Sequence, residues 1–220
     1  MLRLGWEKKE DSALRFLFMG AHCDDIEIGA GGTALALVER FPEAHFHWLV
    51  FASNPARAEE AEASAKEFLR DVKKENRHIE INRFRESFFP YIGSQIKEHF
   101  ETIKQRIDPD VIFTHYREDR HQDHRLISDL TWNTYRDHLI LEYEIPKYDG
   151  DLGRPNVYCP VSQSAVERKI STLMTCYPSQ LKQQWFTDGT FEAMLRLRGI
   201  ECKADTGLAE AFYASKIIMS

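Results

Sequence analysis

The sequence lacks any long apolar run. Nothing in its 220 residues approaches the roughly 20 apolar positions that a membrane-spanning helix needs. No membrane partner is therefore expected. Its first residues, Met1 to Leu14, carry Glu7, Lys8, Lys9, Glu10 and Asp11 where a signal peptide has its apolar core, so a cytoplasmic location is expected. A basic excess is missing too: 35 acidic against 29 basic residues leave a net charge of −6. Nucleic acid as a partner asks for the opposite sign. Cysteine is sparse, and Cys23, Cys159, Cys176 and Cys202 form no Cys-x-x-Cys pair. Reduced thiols are therefore the expectation. Repeats, linkers and low-complexity tracts are absent, so residues 1–220 are expected to form a single domain.

What the sequence does have is apolar runs that end abruptly in polar clusters. Phe16 to Met19 has the length and residue types of a buried strand, and Gly20-Ala21 ends it. His22, Asp24 and Asp25 follow at once, then glycines 29, 31 and 32 lead into a helical stretch from Thr33. A strand, a glycine-bearing turn and a helix form the first unit of an open α/β sheet, whose ligands sit beyond the carboxyl ends of the strands. Two readings of the turn compete. A glycine-rich turn can cradle a pyrophosphate, but two adjacent carboxylates here would repel one. A His-x-Asp-Asp cluster suits a metal better, because imidazole nitrogen and carboxylate oxygen both bind zinc.

A second cluster strengthens the metal reading. Val111, Ile112 and Phe113 end in polar groups, and His121-Gln122-Asp123-His124 follows. In a doubly wound sheet both clusters emerge on the same edge, where one histidine of the second would complete a His/Asp/His set. Such a site leaves a position open for water.

The pair resembles the LmbE-like deacetylases, the family that includes N-acetylglucosaminylphosphatidylinositol deacetylase. Their usual first motif, Ala-His-Pro-Asp-Asp-Glu, is similar to Ala21-His22-Cys23-Asp24-Asp25-Ile26-Glu27, with Gly31-Gly32-Thr33 following. Their second, His-x-Asp-His, stands as His121 to His124, with Asp119 two residues ahead. Weaker echoes are Arg57-x-x-Glu60, Tyr177-Pro-Ser-Gln180 and Glu210-Ala-Phe212-Tyr. Two departures stand out: Cys23 replaces proline, and Ile26 holds the usual glutamate position with Glu27 one place later. Cys23 is expected to be a small packed residue rather than a ligand or nucleophile.

The resemblance implies an α/β, Rossmann-like fold: a mostly parallel open sheet with helices on both faces. It implies one divalent ion, Zn²⁺ or another, on His22, Asp25 and His124. Asp24 is then left as general base, His121 to stabilise the oxyanion or protonate the leaving amine, and Asp123 to orient a histidine, unless it only caps its helix. Arg57 is a candidate for substrate binding, against a surface arginine paired with Glu59 or Glu60. The implied substrate is a small-molecule N-acetylated amino-sugar conjugate, hydrolysed by metal-activated water. Phe88, Phe89, Tyr91 and Tyr116 could stack on a sugar face, though ordinary packing accounts for such residues more often. The group attached to the sugar and any homo-oligomer are not readable. Two other readings remain: a different hydrolase such as a phosphoesterase, which often uses two metals, and a non-catalytic sugar- or nucleotide-binding module.

Elsewhere the pattern predicts strands near 46–51, 79–84, 139–145 and 156–161, and helices over 56–72, 92–107 and 124–136. Further helices are predicted over 163–176 and 179–198, the last carrying Trp185 and Phe186. The final apolar piece, 210–219, is expected at the sheet edge.

Overall fold

A computed structural model describes residues 5–6 and 13–218. The charged positions 7–11 and Met219 lie outside the described residues. The chain alternates strand and helix from the start: β1 (Arg15–Gly20), α1 (Asp25–Arg40), β2 (His45–Ala52), α2 (Pro55–Phe68) and β3 (Arg77–Phe84). It continues with α3 (Gly93–Arg106), β4 (Val111–His115), α4 (Gln122–Thr134) and β5 (Leu139–Tyr143). The last part holds β6 (Val157–Pro160), α5 (Gln163–Cys176), α6 (Asp188–Cys202) and β7 (Ala209–Tyr213).

One seven-stranded sheet runs in the order β3-β2-β1-β4-β5-β7-β6. Strands β1 to β5 pair parallel, while β7 pairs antiparallel with both β5 and β6. Strand β1 shows why both faces must be covered. Phe16 and Phe18 enter one core with residues of α1, α2 and α5, and the alternate Leu17 and Met19 enter the other with residues of α3 and α4. Side chains alternate across a strand, so a strand apolar at every position belongs inside a three-layer sandwich. Chain order reverses between β1 and β4, and the crevice beyond their carboxyl ends is where such a sheet takes its ligand. Both histidine clusters hang from those two strand ends.

The glycines after β1 lie inside α1 and serve packing. A Cβ on Gly29 would fall 2.1 Å from the Tyr143 ring, and one on Gly32 would meet Glu210 and Val161 at 3.0 Å. The Gly32 and Thr33 N–H groups donate to the Glu210 carboxylate, and Lys169 Nζ donates to both Glu210 and the Ile28 carbonyl. The glycine run therefore lets α1 approach the sheet and its buried Lys169–Glu210 pair. It forms no phosphate cradle.

Two expectations need correction. Residues 179–187 are turns, so Trp185 and Phe186 precede α6, and the helix begins at Asp188 behind the Thr187 hydroxyl, which accepts the Thr190 N–H. Ser179 is drawn out of helical geometry by Glu60, which accepts both its N–H and its hydroxyl. The last strand is not the sheet edge. β7 is sandwiched between β5 and β6, and β6 takes the edge.

Candidate metal centre and catalytic groups

The turn after β1 is folded by its own polar groups. Ala21 N–H donates to His115 Nε2 at 2.9 Å, and His22 N–H donates to Asp25 Oδ2 at 2.7 Å. Asp25 opens α1, where the helix dipole favours a carboxylate. On the other side, His121 stands at the N-cap of α4 and accepts the Asp123 N–H, which places His124 one turn inside.

These two helix starts bring three donor atoms together. His22 Nδ1 and His124 Nε2 are 3.1 Å apart, and Asp25 Oδ2 lies 3.3 Å from the first and 3.5 Å from the second. A tetrahedral zinc with bonds of about 2.0–2.1 Å separates its ligand atoms by about 3.3 Å. The triangle thus has the edge lengths and donor chemistry of an open three-ligand zinc site, and its residues fit such an ion. All three side chains are buried.

Each imidazole is fixed by a carboxylate at its far nitrogen. His22 Nε2 is 3.1 Å from Asp123 Oδ2, and His124 Nδ1 is 2.9 Å from Asp119 Oδ2. Carboxylates in this position set tautomer and ring orientation of a metal-binding histidine. Asp119 also accepts from Lys147 Nζ at 2.9 Å and from the His121 N–H. Asp123 accepts the N–H groups of Ser87 and Phe89, tying the loop after β3 to the centre. Ser87 adopts φ of +65°, an uncommon conformation for a residue with a Cβ.

The electrostatics show what the cluster wants. Burial opposes protonation of His22, but Asp25 and Asp123 override it and raise its pKa to about 10. Burial and the neighbouring His115 push His124 down to about 3. Burial alone would raise the Asp25 pKa, yet the His124, His115 and His22 imidazoles hold it well below the usual carboxylate range. Facing nitrogens 3.1 Å apart cannot both be protonated, so one proton at most lies between them.

The other anticipated residues border this triangle. Asp24 Oδ1 receives Arg57 Nη2 at 2.5 Å. Burial raises the Asp24 pKa, with Arg57 acting against it. Arg57 is thereby not a surface arginine paired with Glu59 or Glu60, because Glu60 binds Ser179 instead. His22, His121 and His124 have ligand atoms within 4.8 Å of one another, and the His121 pKa is lowered by burial and by His22. Asp123 does contact a histidine, His22 of the first cluster, besides opening α4.

The aromatic residues are not presented together. Phe89 is fully buried, Arg85 covers the Phe88 ring at 3.4 Å, and Tyr116 stacks on Tyr213 at 3.8 Å. Of the loop aromatics singled out, Tyr91 is the strongly exposed one. Glu27 points away from the triangle: it accepts the Tyr177 hydroxyl, and burial raises its pKa to about 8, with the neighbouring Ser64 and Tyr177 acting against the rise. Ile26 is core. Cys23 Sγ donates to the Ala52 carbonyl, and burial pushes its thiol far up, as suits a packed residue. Sequence reasoning gave no role to His115 or Lys147. The signal for His115 was present, a polar residue closing a buried parallel strand.

Among solved structures, a conserved protein from Thermus thermophilus superposes with a TM-score of 0.75 at 17% identity, over 94% of this chain and 97% of that one. The 4-carboxy-2-hydroxymuconate hydratase GalB from Pseudomonas putida gives 0.74 at 15% identity, over 94% and 98%. The N,N'-diacetylchitobiose deacetylase from Pyrococcus horikoshii gives 0.67 at 18%, over 92% and 84%. These likenesses establish the fold, and the hydratase among them shows that fold alone does not set the chemistry. A search of curated proteins finds no significant sequence match. The model of the PIG-L family, GlcNAc-PI de-N-acetylase, spans residues 17–135 and both histidine clusters, more than half of the sequence, and the chain belongs to that family.

Proposed function

We propose that the chain, acting as one domain over residues 1–220, is a metal-dependent N-deacetylase of a small N-acetylglucosamine-type conjugate. The observation that carries this reading is the His22–Asp25–His124 triangle, with an aspartate and a histidine in excess of the three donors beside it. Held by those three side chains, a divalent ion such as Zn²⁺ would lower the pKa of water and polarise the acyl carbonyl.

The chain's own groups do the rest. Asp24 accepts the proton of the attacking water. Arg57 donates to its Oδ1. Burial raises the Asp24 pKa, which favours its taking up a proton. His121 Nδ1 accepts the Asp123 N–H, so the neutral ring carries its proton on Nε2. That N–H is the donor available to hydrogen-bond the oxyanion, while the departing amine, which leaves poorly unless protonated, takes the proton that Asp24 accepted from water. Arg57, beside Asp24 and 3.8 Å from Glu86, lies at the mouth and contacts substrate polar groups.

No helix of the described residues is long and apolar enough to cross a membrane. This supports a soluble sugar conjugate as substrate and a cytoplasmic enzyme. The experiment is metal content together with amine release from a panel of N-acetylglucosamine conjugates, with and without chelator. About one zinc per chain and chelator-sensitive release are expected. Metal bound without release from any conjugate would move the reading to another acyl or ester substrate, and no metal would sink it.

A further inference from the structure

A fourth imidazole, His115, belongs to the centre without being one of its three donors. It closes β4 and is fully buried. Its Nε2 accepts the Ala21 N–H at 2.9 Å, one residue before His22. The same atom lies 3.3 Å from Asp25 Oδ2. Its ring lies on the His124 ring, with centroids 3.9 Å apart and 17° between the planes.

Two roles compete for it. Asp25, His115 and His124 have ligand atoms within 4.8 Å of one another, which invites a reading of His115 as a further ligand. Ring geometry rejects that. An imidazole lone pair lies in its ring plane, so an ion held by two rings must lie near both planes. Stacked and nearly parallel rings offer no such point. The Nε2 lone pair is moreover already directed at the Ala21 N–H.

We infer that His115 is a positioning residue that fixes the plane of the His124 ring and the backbone from which His22 projects. Asp119 grips His124 at one edge, through Nδ1. A hydrogen bond at one edge leaves a ring free to swing about the line of that bond. The stacked His115 face removes this freedom, and its Nε2 anchors the turn that delivers the opposing donor. One side chain thus sets the spacing between the two imidazole donors, each from a different strand end. The inference rests on the proposed metal site.

The test compares zinc affinity, by competition with a chromophoric chelator, in wild type, His115→Ala and His115→Phe. Metal-free melting temperature and the visible spectrum of the Co²⁺ form are recorded for each. His115→Ala is expected to bind zinc about 10–100-fold more weakly, the range for residues that orient ligands. His115→Phe keeps the stack but loses the acceptor, so it should fall between, with cobalt band intensities like wild type because no ligand is lost. Folded variants that bind zinc as tightly as wild type overturn the inference. So does a cobalt spectrum in His115→Phe that reports a missing nitrogen ligand. Should His115→Ala fail to fold, the affinity and spectrum of His115→Phe decide alone. A wild-type protein that takes up no zinc overturns the proposed function and this inference together, whereas wild-type binding with unchanged variants overturns this inference alone.

Discussion

Arg57 Nη2 meets Asp24 Oδ1 at 2.5 Å, and the two side chains are only 11% and 6% exposed. This pair joins the start of α2 to the start of α1 beside the candidate site. The two adjacent aspartates thus have different surroundings: Asp25 faces three imidazoles, while Asp24 faces a guanidinium. A general base contributes about 10²–10⁴-fold. Asp24→Ala should therefore keep its zinc and lose at least ~100-fold in turnover of an N-acetyl sugar conjugate. Metal analysis and steady-state rates on the same preparation check this. Normal turnover would remove Asp24 from the mechanism.

Asp119 connects the centre to the loop after β5. Its Oδ2 is shared by His124 Nδ1 and Lys147 Nζ, and Lys147 is held in turn by Asp151. Losing a carboxylate that orients a ligating histidine costs about 10–100-fold in metal affinity. Asp119→Ala should show that loss in a zinc competition titration. Lys147→Met leaves the His124 bond in place, so it should change zinc affinity far less.

The fold and the two polar clusters were legible because both follow from local pattern, whereas the choice of His22, Asp25 and His124 among the clustered groups came from the family resemblance. Apolar runs such as Phe16 to Met19 signal strands buried on both faces, and each histidine cluster follows such a run directly. The helix at 93–106 was readable from the spacing of Ile96, Phe100 and Ile103, which all enter one core. Less visible was whatever depends on a distant partner. The helical composition of 179–187 is overridden by Glu60 on α2, 119 residues away from Ser179. The placement of β7 inside the sheet depends on β6, a four-residue strand. His115 stands out in sequence as a polar end to a buried strand, but its partner His124 is identified only in the fold. The glycines of α1 suggested a ligand because their real partners, Tyr143 and Glu210, are remote in sequence.

The far edge of the sheet carries a different device. His47 stacks on His78 with centroids 4.4 Å apart and His45 stacks beyond, in a cleft of about 320 Å³ with Arg15, Lys104 and Arg106. Burial, then the neighbouring His78 and His45 and the cations Arg15 and Arg106, lower the His47 pKa to about 4. The unfolded chain binds this proton near the ordinary value of about 6.5. Between those two values the unfolded state holds more protons, so His47 makes the fold lose stability as pH falls from about 6.5 towards 4. Denaturant unfolding at pH 7 and pH 5 should show a smaller acid loss in His47→Gln than in wild type. Equal losses would mean that the stack tolerates the charge.

Gly29 sets two ordinary effects against each other. Glycine inside a helix is about 0.8–1.0 kcal/mol less favourable than alanine, so Gly29→Ala in an isolated α1 would stabilise it. In the folded chain the added Cβ would lie 2.1 Å from the Tyr143 ring. Tyr143 cannot yield easily, because it is fully buried and its hydroxyl donates to the Met19 carbonyl at 2.6 Å. Overpacking of a filled core costs about 1–3 kcal/mol, which exceeds the propensity gain. Gly29→Ala is therefore expected to lower the unfolding midpoint, measured in denaturant. Relief should come from Gly29→Ala combined with Tyr143→Leu, a smaller side chain, if the ring is the obstacle. A stabilised Gly29→Ala single variant would show that α1 can lift from the sheet without cost.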